Sequence, residues 1–357
     1  MKERAIKSNG MCGSNPIVAS AALLATGFMR SVAIKRYAPI ARGREVRLVV
    51  NRPETHKARC LIFREKSLGV FPTIVLGGFV PDATETVEFQ RQILRRHGSI
   101  YYVNYPRTGF CAEMFAAQLG DLIDEILRKG QKPLIMSVSF GSGLLLDFLQ
   151  HADEQIHESI RGLILISPVI CTDDLIRPAT ERREGVRLLE SNLKKIMAAD
   201  PHTDIEKHIE RSRRCFQSLF TAGAENRQLS VRHLTIRKKI MDVINHTSVQ
   251  GGFERVLTLG KFIFPAGSGS LFAGPVLSLL AENEEDTLVQ SSPTLGMFRD
   301  PAQFRGFFPN SQVSTVRSGV TGDGVAHASL IFHHEAYNHL IAGWYNKLLY
   351  PRLQLAV

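Results

Sequence analysis

The sequence predicts an α/β fold, a mostly parallel central sheet covered by helices on both faces, with a helical insertion late in the chain. Two observations carry this. Short, continuously apolar runs such as Thr73-Ile74-Val75-Leu76, Ile100-Tyr101-Tyr102-Val103 and Leu163-Ile164-Leu165-Ile166 suit strands buried on both faces. Amphipathic helical stretches alternate with them, which is the pattern of a parallel sheet with crossover helices. A third observation places the insertion: from Cys171 to about Pro265 the alternation stops, and the chain becomes rich in Arg, Lys, Glu and helix formers.

Taken in order, residues 45–51 and 58–64 read as two paired strands, with Arg52-Pro53-Glu54-Thr55 as the turn between them. Residues 73–76 form the next strand and end in Gly77-Gly78. A helical pattern runs from Thr86 to Arg96 and closes at His97-Gly98. After the strand 100–103, residues 113–128 form an amphipathic helix with Leu119, Leu122, Ile123, Ile126 and Leu127 on one face and Gly130 beyond its end. The sheet pattern resumes after Gly267-Ser268-Gly269-Ser270 with residues 276–280 and 313–316. A last amphipathic helix spans about 334–349, carrying Leu340, Ile341, Trp344 and Leu348.

The chain has 357 residues, enough for one large domain with an inserted subdomain or for two ordinary ones. Its 44% hydrophobic and 22% charged residues are those of a globular protein. The net charge of +10 suits anionic partners, but the basic residues are scattered among acidic ones, and no zinc-finger, recognition-helix or RNP-type pattern supports nucleic-acid binding. Cys12, Cys60, Cys111, Cys171 and Cys215 are odd in number and far apart, so neither a disulfide framework nor a zinc site follows, and a reducing compartment fits. Lys2, Arg4 and Lys7 precede an apolar run from Pro16 to Met29 that is short for a bilayer span and lacks a cleavage signal. The expectation is a packed or interfacial N-terminal helix in a cytoplasmic protein. The alternative is a targeting segment, giving export or weak membrane-surface contact.

The chemistry centres on Pro133-Leu-Ile-Met-Ser-Val-Ser139-Phe140-Gly141-Ser142-Gly143. An apolar strand enters a turn of small residues and a helix leaves it, which would lift the Ser139 hydroxyl above the sheet at a helix N-terminus. This is the arrangement of the G-x-S-x-G nucleophile elbow, with Ser137 in place of the first glycine. A serine hydroxyl needs a base within hydrogen-bond reach, and the base needs a group to orient it. Such groups collect at the carboxyl ends of strands. There, Asp286 follows the strand 276–280, and His327 lies on a glycine-containing loop after the strand 313–316. Glu285, Asp173 and Asp174 are the other candidate acids. His333, His334 and His339 fall at or inside the last helix.

In these residues, and in the chain order Ser, acid, His, the sequence resembles the α/β-hydrolase superfamily over roughly residues 45–349. The resemblance implies the α/β-hydrolase fold with a helical cap insertion. Its divisions would be an N-terminal extension (1–44), a core in two parts (45–170 and 266–357) and a cap (171–265). It makes Ser139 the nucleophile, His327 the general base and Asp286 its partner. Leu76-Gly77-Gly78-Phe79 matches the family's strand-end oxyanion motif, with Gly77 where histidine is common, so the backbone N–H groups of Phe79 and Phe140 would form the oxyanion hole. Dehalogenases and epoxide hydrolases of this fold use aspartate at the elbow, so Ser139 points to acyl transfer through an acyl-enzyme.

The expected function is that of a serine esterase or thioesterase acting on a small-molecule acyl substrate, without cofactor or metal, since no metal-ligand spacing, phosphate loop or full G-x-G-x-x-G is present. The alternatives are a serine peptidase or amidase, and a catalytically silent scaffold used for binding. The cap's basic residues, among them Arg182, Arg183, Arg213, Arg214, Arg237, Lys238 and Lys239, would either meet an anionic substrate tail or form a solvated surface; the second is the simpler reading.

Overall fold

The computed structural model describes residues 32–178, 188–198, parts of 206–217, 229–263, 269–320 and 322–350. The N-terminal apolar run 16–29, Cys12, Cys215, Arg182, Arg183 and part of the Gly-Ser joint lie outside the described residues.

The frame is one eight-stranded sheet in the order β1-β2-β4-β3-β5-β6-β7-β8. The strands are β1 (Ile34–Arg36), β2 (Leu61–Val70), β3 (Thr73–Leu76), β4 (Gly98–Asn104), β5 (Leu134–Val138), β6 (Gly162–Ile166), β7 (Val276–Ala281) and β8 (Ser311–Val316). From β4 through β8 every pairing is parallel; β2 runs antiparallel to both its neighbours. Strands β3 to β7 are buried along their whole length, as their unbroken apolar runs predict for strands covered on both faces.

Helices α4 (Ala112–Arg128) and α5 (Phe140–His151) pack on one face, where Leu119, Leu122, Ile126, Leu145 and Leu149 join Ile74, Ile135 and Leu163 of the sheet. Helices α3 (Arg91–His97) and α12 (His334–Leu349) cover the other, bringing Leu94, Tyr337, Ile341 and Trp344 against Val75, Met136, Ile164 and Leu279. The β6–β7 connection carries α7 (Leu188–Ala198), α8 (Val231–His246) and α9 (Val249–Lys261), in line with the helical insertion expected there.

Three local expectations are corrected. Residues 45–51 form a helix, α1 (Gly43–Asn51), not a strand. Its first amides are capped from α4: Arg44 and Glu45 donate their backbone N–H to the two carboxylate oxygens of Asp121, each at 3.0 Å. That anion at the helix N-terminus outweighs the β-preference of Val46, Val49 and Val50. The strand that pairs with β2 is instead β1, so the sheet begins before residue 45, within what was expected to be an extension. The helix expected over 86–96 is split into α2 (Ala83–Thr86) and α3, with tight Glu88 N–H to Glu85 and Gln90 N–H to Val87 carbonyl bonds between them.

The insertion leaves the core through a buried polar hub. Asp174, fully buried, accepts hydrogen bonds from the backbone N–H of Ile170 (2.8 Å) and Cys171 (3.1 Å), the Ser292 hydroxyl (2.6 Å), and the Thr294 N–H (3.0 Å) and hydroxyl (2.7 Å). With all its acceptor sites taken by structure, Asp174 ties the start of the insertion to α10 (Pro293–Arg299) and is not a partner for a catalytic base. Replacing one oxygen by an amide turns donors toward a donor, so Asp174→Asn is expected to cost about 3 kcal/mol in urea unfolding. A loss under about 1 kcal/mol would contradict the hub.

Candidate active site

Three loops at the carboxyl edge of the sheet build the site. The first is the turn between β5 and α5. Ser139 sits at its apex with φ 50° and ψ −120°, a left-handed conformation unusual for a residue with a Cβ. The strain is held by both flanks: the Ser139 N–H donates to the Ile166 carbonyl (2.9 Å), and its own carbonyl accepts from the Ser142 N–H (2.8 Å). Gly141 must be glycine. A Cβ there would stand 3.0 Å from the Leu76 carbonyl oxygen and the Tyr105 hydroxyl, and closer still to the Gly77 carbonyl oxygen. At the other flank, Ser137 is fully buried and its hydroxyl pairs with that of Ser142 at 2.9 Å. The serine that departs from the elbow pattern is therefore accommodated by a second serine five residues on.

The second loop follows β8. His327 stands between two groups: its Nε2 is 2.9 Å from Ser139 Oγ and its Nδ1 is 2.6 Å from Glu284 Oε2. The carboxylate can only accept, so the proton is on Nδ1, and in the neutral ring Nε2 accepts from the Ser139 hydroxyl. The loop is fixed by the backbone N–H of Ala328, which donates to Ser167 Oγ at 2.9 Å. Ser139, Ser167 and Ala328 are the non-glycine residues with positive φ among those described: the first bonds the imidazole, the third follows it in the chain, and Ser167 holds the loop through the Ala328 N–H.

The third loop follows β7, and here the expected acid is corrected. Asp286 is exposed, whereas Glu284 is 1% exposed and carries the bond to His327. The reason is a 3-10 turn over Glu284–Asp286, pinned to the histidine loop by the Asn283 N–H to Val325 carbonyl bond (2.9 Å). The turn directs its first side chain inward and its third outward. Glu284 Oε1 also accepts from the Ala281 N–H at 2.7 Å. Glu285, the runner-up acid, instead pairs with Arg299. The run Glu282-Asn283-Glu284-Glu285-Asp286 carries no local pattern that marks Glu284, whose burial comes from the docking of this turn on the histidine loop. Burial pushes the Glu284 carboxyl up, but the adjacent imidazole and the hydrogen bonds from His327, Ser167 and Ala281 more than offset it, and its pKa lies below the ordinary value.

The remaining candidates fall elsewhere. His333 bonds Ser329 and Asp323, and His334 stacks on Phe89 at 4.6 Å. Phe140 opens α5, where the first N–H groups have no intrahelical acceptor. Phe79 lies on the Gly77-Gly78-Phe79 turn over the elbow, its ring 5.3 Å from that of Phe140, and a Cβ on Gly78 would be 3.7 Å from Ser139 Cβ.

Ser139 and His327 open into a cavity of about 290 Å³. Its walls are apolar: Val80, Val169 and Phe332 from the core side, and Leu189, Leu193, Ile240, Ile244 and Leu259 from the insertion. None of the described lining residues is Lys or Arg, and Arg214, Arg237 and Lys238 are exposed to solvent. No metal-binding group of His, Cys, Asp or Glu occurs among the described residues.

No protein-family model matches the chain, and no curated protein matches it. Solved structures do. An esterase from Exiguobacterium antarcticum superposes with a TM-score of 0.56 at 12% identity, covering 81% of this chain and 98% of that one. A serine hydrolase from Cycloclasticus zankles gives 0.53 at 13% identity over 88% and 99%. A bromoperoxidase from Bacillus anthracis gives 0.52 at 18% identity over 82% and 97%. The protein has the α/β-hydrolase fold. That fold hosts unlike chemistries, so activity must be argued from the site.

Two outcomes test the site. Glu284→Gln is expected to slow reaction of Ser139 with a fluorophosphonate at least about 100-fold, while Asp286→Asn leaves it within about twofold; the reverse order would restore Asp286. A depressed carboxyl pKa contributes stability that is complete above the ordinary glutamate value, about pH 4.3, and is lost as pH falls through the lower folded value. Melting temperature followed into acid should therefore drop more steeply for the parent than for Glu284→Gln; parallel curves would contradict the pairing.

Proposed function

We propose that the protein is a serine hydrolase that cleaves carboxylic esters of uncharged, apolar acyl groups through an acyl-enzyme. The observation that carries this reading is the imidazole of His327, bonded at one nitrogen to Ser139 and at the other to Glu284 on the floor of an apolar cavity. Ser139 Oγ attacks the acyl carbon as its proton passes to His327 Nε2. Glu284 stabilises the imidazolium without taking the proton. The carbonyl oxygen, now an alkoxide, is held by the backbone N–H groups of Phe79 and Phe140. His327 returns the proton to the departing alcohol, and a water, activated by the same nitrogen, hydrolyses the acyl-enzyme to acid and free Ser139.

The cavity supports the choice of substrate. It is bounded by the insertion, which acts as a cap over Ser139. Its volume of about 290 Å³, open on one side, has room for an acyl chain laid along the apolar wall beside Ser139. Among the described lining residues a charged chain end would find no Lys or Arg to offset its desolvation. A peptide needs acceptors and donors for its own backbone, and these walls offer few. The esterases among the structural neighbours agree with this reading.

A fluorophosphonate should label the folded protein and fail to label Ser139→Ala. With p-nitrophenyl esters, kcat/KM should rise from acetate to a medium chain and fall for long ones. A half-ester of a dicarboxylic acid should be cleaved at least about tenfold more slowly than the neutral ester of equal length. Folded parent protein that neither labels nor turns over any ester would overturn the proposal.

A further inference from the structure

Arg255, on α9 of the insertion, is buried to 3% exposure, yet its guanidinium is directed at two carbonyl oxygens from different core loops. Nη1 donates to Phe79 O at 2.8 Å and Nη2 to Pro106 O at 2.9 Å, with the group 5.5 Å over the ring of Tyr105. Tyr105 in turn donates its hydroxyl to Gly77 O at 2.9 Å. The consequence is geometric. The Phe79 N–H belongs to the peptide between Gly78 and Phe79. The carbonyl of the peptide before it is tied by Tyr105, and the carbonyl of the peptide after it is tied by Arg255. A Gly-Gly turn would otherwise be the most permissive backbone in the site.

We infer that Arg255 is a positioning residue: a guanidinium supplied by the insertion that aims the Phe79 N–H at the developing alkoxide. The inference rests on the acyl-transfer reading above. Desolvating a guanidinium is costly, and a methionine or leucine would fasten α9 more cheaply. What an apolar residue cannot do is hold two carbonyls of separate loops in one planar fork. Fastening is in any case provided by neighbours. Ser248 donates its N–H (2.9 Å) and hydroxyl (3.0 Å) to Arg107 O, and Glu254 accepts from the Phe110 N–H. These contacts hold the same helix to the same loop without touching the Gly77-Gly78-Phe79 turn, and so they supply the control.

The experiment compares Arg255→Met, Arg255→Lys and Glu254→Gln on p-nitrophenyl acetate, which does not fill the apolar cavity, and p-nitrophenyl hexanoate, which does. Arg255→Met should lower kcat by about 30-fold on both esters with KM changed less than about threefold, a smaller loss than the roughly 100- to 1,000-fold that follows outright removal of an oxyanion donor. Arg255→Lys, which reaches one carbonyl, should fall in between, and Glu254→Gln should stay within about twofold of the parent. A loss confined to hexanoate and expressed in KM would mean that Arg255 only shapes the chain pocket, and would overturn the inference. So would a kcat within about threefold of the parent in Arg255→Met. Where Arg255→Met fails to melt cooperatively, folded Arg255→Lys decides: equal kcat losses on both esters support the role, and an unchanged kcat overturns it. A parent protein inactive on every ester would instead remove the acyl-transfer reading, and this role with it.

Discussion

The site depends on one constraint: an imidazole held at both nitrogens, with Ser139 Oγ on one side and Glu284 on the other. Neither bond forms unless three loops from separate strands converge at the same edge of the sheet. The sheet supplies that convergence. β5, β6, β7 and β8 are successive parallel neighbours, so the turns that follow β5, β7 and β8 rise side by side. Ser167 at the end of β6 lies between them and receives the Ala328 N–H. The positive-φ backbone at Ser139, Ser167 and Ala328 is held by hydrogen bonds from neighbouring strand ends, and that support keeps the serine and the imidazole in register.

Burial gives this geometry its electrostatic meaning. A carboxylate as enclosed as Glu284 would ordinarily prefer to be neutral. It stays ionised because it faces the imidazole and accepts further hydrogen bonds. The apolar cavity above does the complementary work. Its described lining is apolar and holds no Lys or Arg, so a dipole or hydrogen bond aimed at the reacting carbonyl is worth more than it would be in water. The insertion contributes to both ends of this arrangement, through the walls of the cavity and through the guanidinium that reaches the turn bearing Phe79.

Much of this was legible in the sequence because it is encoded locally. The strand, small-residue turn and helix around Ser139, and the glycine-containing loop that carries His327, each specify their backbone within about ten residues. What sequence reading missed was decided by distant contacts. Five consecutive residues, Ala281 to Glu285, and then Asp286 contain four carboxylates, and only the docking of Asn283 on the histidine loop selects Glu284. Residues 45–51 carry a strand-like composition but receive their helix cap from Asp121, 76 positions away from Glu45. Arg255 stood among many basic residues, and nothing in its neighbourhood along the chain distinguished it from those on the surface.

The measurement that bears most directly on the Glu284–His327–Ser139 arrangement is proton NMR of the resting protein in the far-downfield region, where an imidazole N–H shared with a carboxylate resonates apart from all amides. A resonance that His327→Asn removes, and that is therefore distinct from any given by His333 beside Asp323, is expected to be unchanged by Asp286→Asn and absent from Glu284→Gln. Its survival in folded Glu284→Gln, or its loss in Asp286→Asn, would contradict the arrangement.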